Sequence, residues 1–193
     1  ACNFKCSYCG PAFSSTWTEE VNRFGGYKTT TGFNDPLGLQ SENKVPIPWR
    51  EDNPYVDAFW KWWPDLYQDL HTFRITGGEP LLSKDTFKVL DYIIEHPNPN
   101  RNLSLAINSN LGGPKKLIDR FLAKMKRIED EGRVREFILF TSVDGWGEQA
   151  EYPRHGLDFN YFWDNTHKVL TELQRCNLTF MSTYNALSVP SYK

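Results

Sequence analysis

After Ala1 the chain reads Cys2-Asn3-Phe4-Lys5-Cys6-Ser7-Tyr8-Cys9-Gly10-Pro11, a short loop whose three cysteines have the spacing C-x3-C-x2-C. Three thiolates on one loop can hold three corners of a four-iron cluster. One iron then lacks a protein ligand, which leaves it open to a small molecule. We therefore predict that the functional site lies at this loop, and we expect the rest of the chain to form a barrel beneath it.

The composition excludes several classes of protein. With 193 residues and 39% hydrophobic residues, the chain is long and apolar enough for one globular domain. A net charge of −2 and short apolar runs predict neither a nucleic-acid partner nor a membrane partner. Four cysteines are too few for a disulfide scaffold, and clustered free thiols predict a reducing, cytoplasmic location. The fourth, Cys176, is predicted to be buried and inert at a helix end.

Residues 13–53 are rich in glycine, proline, asparagine and threonine, which are turn and breaker signals. They predict a long irregular insertion after the cysteine loop. Loops of this length are usually functional or disordered. The sequence leaves two interpretations open: a cover over the same mouth as the cysteines, or a mobile surface insertion.

The rest of the chain alternates between helical and strand patterns. Helices are predicted at 54–71, 84–95, 114–131 and 159–175, and strands at 73–76, 103–107, 136–143 and 178–184. Strands separated by helices predict a parallel sheet. Counting one further strand before Ala1, we expect an α/β fold, a partial (β/α)6-type TIM-like barrel truncated at both ends.

Polar residues follow each predicted strand. In parallel α/β folds, active sites form at the carboxyl ends of the strands. The residues that should converge on one mouth with the cysteines are Gly77, Gly78, Glu79, Asn108, Asn110, Ser142, Asp144, Thr183, Tyr184 and Asn185.

Two motifs together resemble those of the radical S-adenosylmethionine (SAM) superfamily. The first is the cysteine loop with Tyr8 before its last cysteine, and the second is Gly77-Gly78-Glu79-Pro80, similar to the GGEP motif of the family. The resemblance implies that residues 1–193 are an incomplete radical SAM core domain. Within the superfamily, the chain most resembles members that carry a C-terminal twitch domain. This narrower resemblance rests on Cys9-Gly10-Pro11, Ser14-Ser15 and residues 152–158.

The resemblance also implies roles for individual residues. Cys2, Cys6 and Cys9 would ligate a [4Fe–4S] cluster, and the amine and carboxylate of SAM would chelate the open iron. Gly77 and Gly78 would let the backbone approach SAM closely. The other implied SAM contacts are Glu79 to the amine, Arg154 to the carboxylate, Tyr8 to the adenine, and Asn108, Asn110, Ser142 and Asp144 to the ribose or the amino acid end.

The implied function is reductive cleavage of SAM to a 5′-deoxyadenosyl radical, which abstracts hydrogen from a substrate that the sequence does not identify. A peptide or protein side chain is one expectation, and a nucleotide or sugar metabolite is another. The implied electron donor is a flavodoxin or ferredoxin. The alternative is a non-catalytic zinc-binding or iron–sulfur-binding module with a structural or regulatory role.

Plainer interpretations stay open for several of these residues. His71 or His155 would have to complete a zinc site with the cysteines. Glu79 can favour the start of a helix, and Asp144-Gly145 is an ordinary turn pair. Arg154 can form a surface ion pair with Glu151 or Asp158.

Overall fold

A computed structural model describes residues 1–27, 30 and 51–191. Helices and strands alternate along most of this length. In chain order the elements are β1 (Lys5–Cys6), α1 (Ser15–Phe24), α2 (Pro54–Asp69), β2 (Thr72–Ile75), α3 (Lys84–Glu95), β3 (Ser104–Ser109), α4 (Lys115–Asp130), β4 (Glu136–Ser142), α5 (Glu148–Glu151), β5 (Arg154–His155), α6 (Phe159–Glu172) and β6 (Cys176–Met181).

The main sheet is parallel throughout. Its strands lie in the order β2-β3-β4-β6, and Ile75, Ile107, Leu139 and Leu178 stand side by side across it. Helices connect these strands because parallel neighbours need a long crossover. The mixed α/β class is confirmed. Within the described residues the sheet is open rather than closed, so the predicted partial (β/α)6-type TIM-like barrel is not confirmed.

One face of the sheet forms the core. Leu105, Ile107, Phe137 and Leu139 are buried on this face and belong to one apolar cluster with residues of α3, α4 and α6. Side chains alternate between the two faces of a strand, so their neighbours point the other way. We call that second side the open face; it carries Arg74, Asn108, Phe140, Ser142 and Met181, which are half-buried or exposed.

Two local predictions need correction. Within the predicted irregular stretch 13–53, Ser15–Phe24 is a helix, begun by Ser14, whose hydroxyl accepts a bond from the Trp17 amide. Residues 28–29 and 31–50 of that stretch lie outside the described residues. Cys176 begins strand β6 instead of ending a helix, and burial raises the pKa of its thiol to about 12.

A second, two-stranded ladder was not predicted. Strand β1 pairs antiparallel with β5, and Cys6 stands opposite Arg154. The Ser7 amide also donates to the Pro153 carbonyl over 2.7 Å. This ladder fixes the cysteine loop above the main sheet. No helix in the part of the chain that the structure describes is long and apolar enough to cross a membrane.

Candidate functional site

A cavity of about 250 Å³ opens at the carboxyl ends of β2, β3 and β4. Of the residues predicted to bind the cluster or SAM, all but two line it. Those on its wall are Cys2, Cys6, Tyr8, Cys9, Gly77, Gly78, Asn108, Asn110, Ser142 and Arg154. The two predicted carboxylates, Glu79 and Asp144, do not line it, and both are buried behind the wall.

The cysteine loop is held from one side by the start of α1. The Ser14 hydroxyl donates to the Phe4 carbonyl over 2.7 Å, and the Ser15 hydroxyl donates to the Cys2 carbonyl over 3.0 Å. The Trp17 indole N–H donates to the Cys6 carbonyl, also over 3.0 Å. These contacts join α1 to three backbone carbonyls of the loop. Sequence reasoning missed them, although Ser14 followed by a polar helical turn carried a capping signal.

The loop is held from the other side by the end of β3. The Asn3 side-chain amide donates to the Gly112 carbonyl, and the Asn110 side-chain amide donates to the Asn3 side-chain oxygen, each over 2.9 Å. The Phe4 ring is buried against Gly112, where an added Cβ would lie 2.4 Å from Phe4 Cζ. The Asn110 side chain was predicted to contact SAM. In this structure its amide group binds the cysteine loop instead.

The three thiols lie close enough to influence one another. Burial raises the pKa of Cys6 to about 11; the Arg154 guanidinium opposes this rise, while Cys2 and Cys9 add to it. Burial also raises the pKa of Cys9. Metal ligation requires the thiolate, so a metal group that bound here would displace the thiol protons.

The three clustered thiols share one cavity, but they are not arranged around a single metal ion. Among the described residues, no three His, Cys, Asp or Glu side chains are arranged to hold one metal ion. The zinc site that His71 or His155 would complete is therefore not formed by them. A four-iron cluster instead places each thiolate on a different iron. Three thiols spread around one cavity, as Cys2, Cys6 and Cys9 are, match that demand.

Glu79 joins three parts of the wall. Its carboxylate accepts bonds from the Leu81 amide over 2.9 Å, the Ser109 hydroxyl over 2.9 Å and the Asn110 amide over 2.6 Å. Burial raises the pKa of this carboxyl, against the lowering effect of those three donors. The carboxylate was predicted to face the SAM amine. The structure places it inside the protein, where it caps the turn Pro80–Leu82 and binds the end of β3.

The two glycines of the GGEP motif have different surroundings. At Gly78 an added Cβ would lie 2.3 Å from the Ala1 carbonyl oxygen and 3.1 Å from Cys2 Cβ. The Glu79 amide donates to that same Ala1 oxygen over 2.7 Å. At Gly77, with φ of 125°, an added Cβ would meet nothing within 4 Å. Gly78 therefore permits close approach of the cysteine segment, whereas the Cβ direction at Gly77 is open.

We expect Gly78→Ala to displace the segment that carries Cys2. A methyl group at 2.3 Å from a backbone oxygen cannot be accommodated without moving the backbone. The free energy of unfolding should fall by about 1–3 kcal/mol, measured by urea denaturation. The matched control is Gly113→Ala, because a Cβ there meets nothing within 4 Å. Equal stability of the two variants would contradict this packing.

Asp144 is the centre of a buried polar network. Its carboxylate accepts two bonds from Arg154, from Nε over 2.7 Å and from Nη2 over 3.0 Å. It also accepts a bond from the Tyr8 hydroxyl and one from the Thr183 amide, the latter over 2.7 Å. Asp144 is fully buried and Arg154 nearly so. Burial and the bond to Asp144 hold the pKa of Tyr8 above its ordinary range.

This network revises three predicted roles. Both oxygens of Asp144 are occupied by protein donors, although the residue was predicted to contact the ribose or amino acid end of SAM. The partner of Arg154 is Asp144 and neither Glu151 nor Asp158, and the pair is buried rather than on the surface. The Nε and Nη2 groups that were predicted to bind a SAM carboxylate already bind this one. Tyr8 lines the cavity with its hydroxyl directed to Asp144.

Asn108 and Ser142 lie on the cavity wall. The Asn108 side-chain oxygen accepts a bond of 2.8 Å from Arg74 Nε on the open face. Of the residues predicted at the end of the last strand, the Thr183 amide binds Asp144, and the Asn185 side chain donates to the Thr183 carbonyl over 2.8 Å. Tyr184 is exposed. These three residues therefore shape the turn after β6 and do not line the cavity.

No protein-family model and no curated protein matches the chain. Similar solved structures include a polyhistidine-tagged form of "anSMEcpe with bound AdoMet", with 19% identity and a TM-score of 0.49, covering 94% of this chain and 39% of the other. A second is "Native anSMEcpe with bound AdoMet", with 18% identity and a TM-score of 0.48, covering 94% and 40%. The chain thus spans about two fifths of each. At these values the likeness carries no argument about what the chain does.

Proposed function

We propose that this chain is the core of a radical SAM enzyme. Cys2, Cys6 and Cys9 hold a [4Fe–4S] cluster, which supplies one electron for cleavage of SAM to methionine and a 5′-deoxyadenosyl radical that takes a hydrogen atom from the substrate. The overall reaction belongs to the oxidoreductases or transferases. A flavodoxin or ferredoxin is the proposed electron donor, and a cytoplasmic location follows from the need to keep the thiols reduced.

The observation that carries this proposal is the meeting of two motifs in one cavity. The C-x3-C-x2-C loop and the GGEP stretch are far apart in sequence, yet the Glu79 amide donates to the Ala1 carbonyl over 2.7 Å, and a Cβ added at Gly78 would lie 3.1 Å from Cys2 Cβ. Both motifs border the same cavity at the carboxyl ends of three parallel strands, where α/β enzymes bind their cofactors. Each motif has an ordinary structural explanation alone. A shared binding site explains why they are brought together.

The residues of the cavity divide into two groups by what they do. Asn108, Ser142 and Gly77 border the cavity, and these we propose as direct contacts for SAM. Glu79, Asp144 and Asn110 bind other protein groups and set the shape of the wall. Arg154 borders the cavity while its Nε and Nη2 bind Asp144, so it places a fixed positive charge beside the thiols.

Two further parts of the proposal concern the complete enzyme. We propose that the open sheet belongs to a TIM-like barrel of the type found in radical SAM members that carry a twitch domain. The substrate is a peptide or protein side chain, or a small metabolite. Residues 13–53 include the helix that grips the cysteine loop, so we propose that they contribute to covering the cavity.

The test is anaerobic reconstitution of the chain with iron and sulfide, followed by reaction with SAM and dithionite. We expect a broad visible absorption typical of an iron–sulfur cluster, near four irons per chain, and formation of methionine and 5′-deoxyadenosine. A matched reaction without dithionite controls for spontaneous SAM breakdown. A cluster that forms without any SAM cleavage would instead support the non-catalytic iron–sulfur module, and failure to bind iron would contradict both.

A further inference from the structure

Arg74 forms no ion pair with a carboxylate among the described residues, although five other arginines do. Arg120, Arg127, Arg133, Arg135 and Arg154 each form an ion pair with Asp or Glu. Within the described residues, no carboxylate lies at ion-pair distance from Arg74. Its side chain projects from strand β2 on the open face and is exposed.

The guanidinium of Arg74 is nevertheless held in one orientation. Its Nε donates to the Asn108 side-chain oxygen over 2.8 Å, and its Nη2 contacts the Met181 sulfur at 3.6 Å. Its central carbon lies 4.2 Å from the centroid of the Phe140 ring, in a cation–π contact. A thioether is a weak acceptor, so the Nη edge has no strong acceptor in these contacts. The Arg74 guanidinium is thus held in place, and its two Nη groups have no charged acceptor among these contacts.

Arg74 is linked to the candidate site through Asn108. Asn108, its hydrogen-bond partner, is itself on the cavity wall, and Ser142 of the open face borders the same cavity. A molecule lying along the open face therefore reaches Arg74 at one end and the cavity at the other. A planar guanidinium over an aromatic ring matches the geometry of an oxyanion, which it binds through two parallel bonds.

We propose that Arg74 binds an oxyanion, a carboxylate or a phosphate, of the substrate on the open face of the sheet. Anion binding at Arg74 stands on the contacts above, whereas its role in substrate recognition rests on the proposed radical SAM function. Phe140 and Met181 supply an apolar floor beside the charge. The substrate class is therefore a molecule with an anionic group next to an apolar portion, and an acidic peptide side chain or a phosphorylated metabolite both satisfy this description.

The experiment is a titration of the chain, without iron or SAM, followed by the NMR signal of the arginine Nε–H groups. The probes are succinate, inorganic phosphate and, as a neutral match to succinate, succinamide, all at constant ionic strength. We expect saturable binding of succinate or phosphate, and the stronger of the two identifies the oxyanion. Succinamide should not bind. Arg74→Gln should weaken the binding about tenfold or more, because the charge-assisted bonds are lost.

The control variant is Arg120→Gln. Arg120 also lies over a phenylalanine ring, at 4.4 Å from the Phe87 centroid, but it has Asp91 as a carboxylate partner. This variant should bind the probes as the wild type does. Urea denaturation of both variants checks that the fold is intact. The proposal is overturned if the wild type shows no saturable binding of either anion, if Arg74→Gln binds them unchanged, or if succinamide binds equally well. None of these outcomes depends on cluster assembly or SAM cleavage, so the proposed function is tested separately.

Discussion

Cys6→Ala should abolish cluster assembly while leaving the chain folded. Cys6 is the most buried of the three clustered thiols and stands between the other two in the loop, so its removal leaves two ligands that cannot hold four irons. We expect the iron and sulfide content after reconstitution to fall to background, and 5′-deoxyadenosine formation with it. The measurements are iron and sulfide analysis and the visible absorption spectrum. A variant that retains the wild-type iron content would contradict the ligand assignment.

The control for this result is Cys176→Ala. Cys176 is also partly buried, with a raised pKa, but it lies at the start of β6, at the opposite end of that strand from the cavity. Its removal should leave the iron content unchanged. Comparable iron loss in both variants would indicate nonspecific iron binding to thiols. Circular dichroism and urea denaturation of the two variants separate a lost ligand from a lost fold.

Asp144→Ala should be among the most destabilising substitutions in the chain. It removes a fully buried carboxylate with four donors and leaves the Arg154 guanidinium buried without its partner. Breaking a buried ion pair in this way costs about 3–5 kcal/mol in free energy of unfolding. The measurement is urea denaturation of the chain. The Tyr8 hydroxyl and the Thr183 amide lose an acceptor at the same time, which moves the loss toward the upper part of that range.

A double variant distinguishes an unpaired charge from a general packing defect. In Asp144→Ala/Arg154→Met both charges are removed, and a side chain of similar length remains at position 154. We expect this variant to recover a substantial part of the lost stability, because replacing both members of a buried pair is often nearly neutral. If the double variant is as unstable as the sum of the two single variants, the two residues are not coupled, and the buried network is wrong.

The order of helices and parallel strands could be predicted because burial imposes a period on the sequence. Ser83 precedes a run with apolar residues at helical spacing, and the helix begins at the next residue, where the Ser83 hydroxyl caps it. Helix α1 was missed although Trp17, Val21 and Phe24 recur at helical spacing, because the glycine and proline signals that follow it led the whole stretch to be interpreted as irregular. The β1–β5 ladder was missed because strands of two residues have no period to detect.

The location of the site was also predictable, but the partners of its charged residues were not. Parallel strands end at the same edge of a sheet, so residues that follow them converge whatever their sequence separation. The sequence shows that Glu79, Asp144 and Arg154 are charged. It does not show that Asp144 and Arg154 face each other, or that Glu79 points to the end of β3. Those contacts depend on backbone direction within loops, which no periodic pattern encodes.

The hydrogen bonds between the start of α1 and the cysteine loop affect when the loop becomes ordered relative to cofactor binding. Hydroxyl and indole groups bind the carbonyls of Cys2, Phe4 and Cys6, so protein groups alone order the loop. Its conformational entropy is then lost when the chain folds, not when a ligand arrives. Small zinc domains, by contrast, fold only as they bind metal. On the proposed function, we therefore expect the cysteine loop to be ordered by these hydrogen bonds before a cluster binds, so that folding and metallation are separate equilibria.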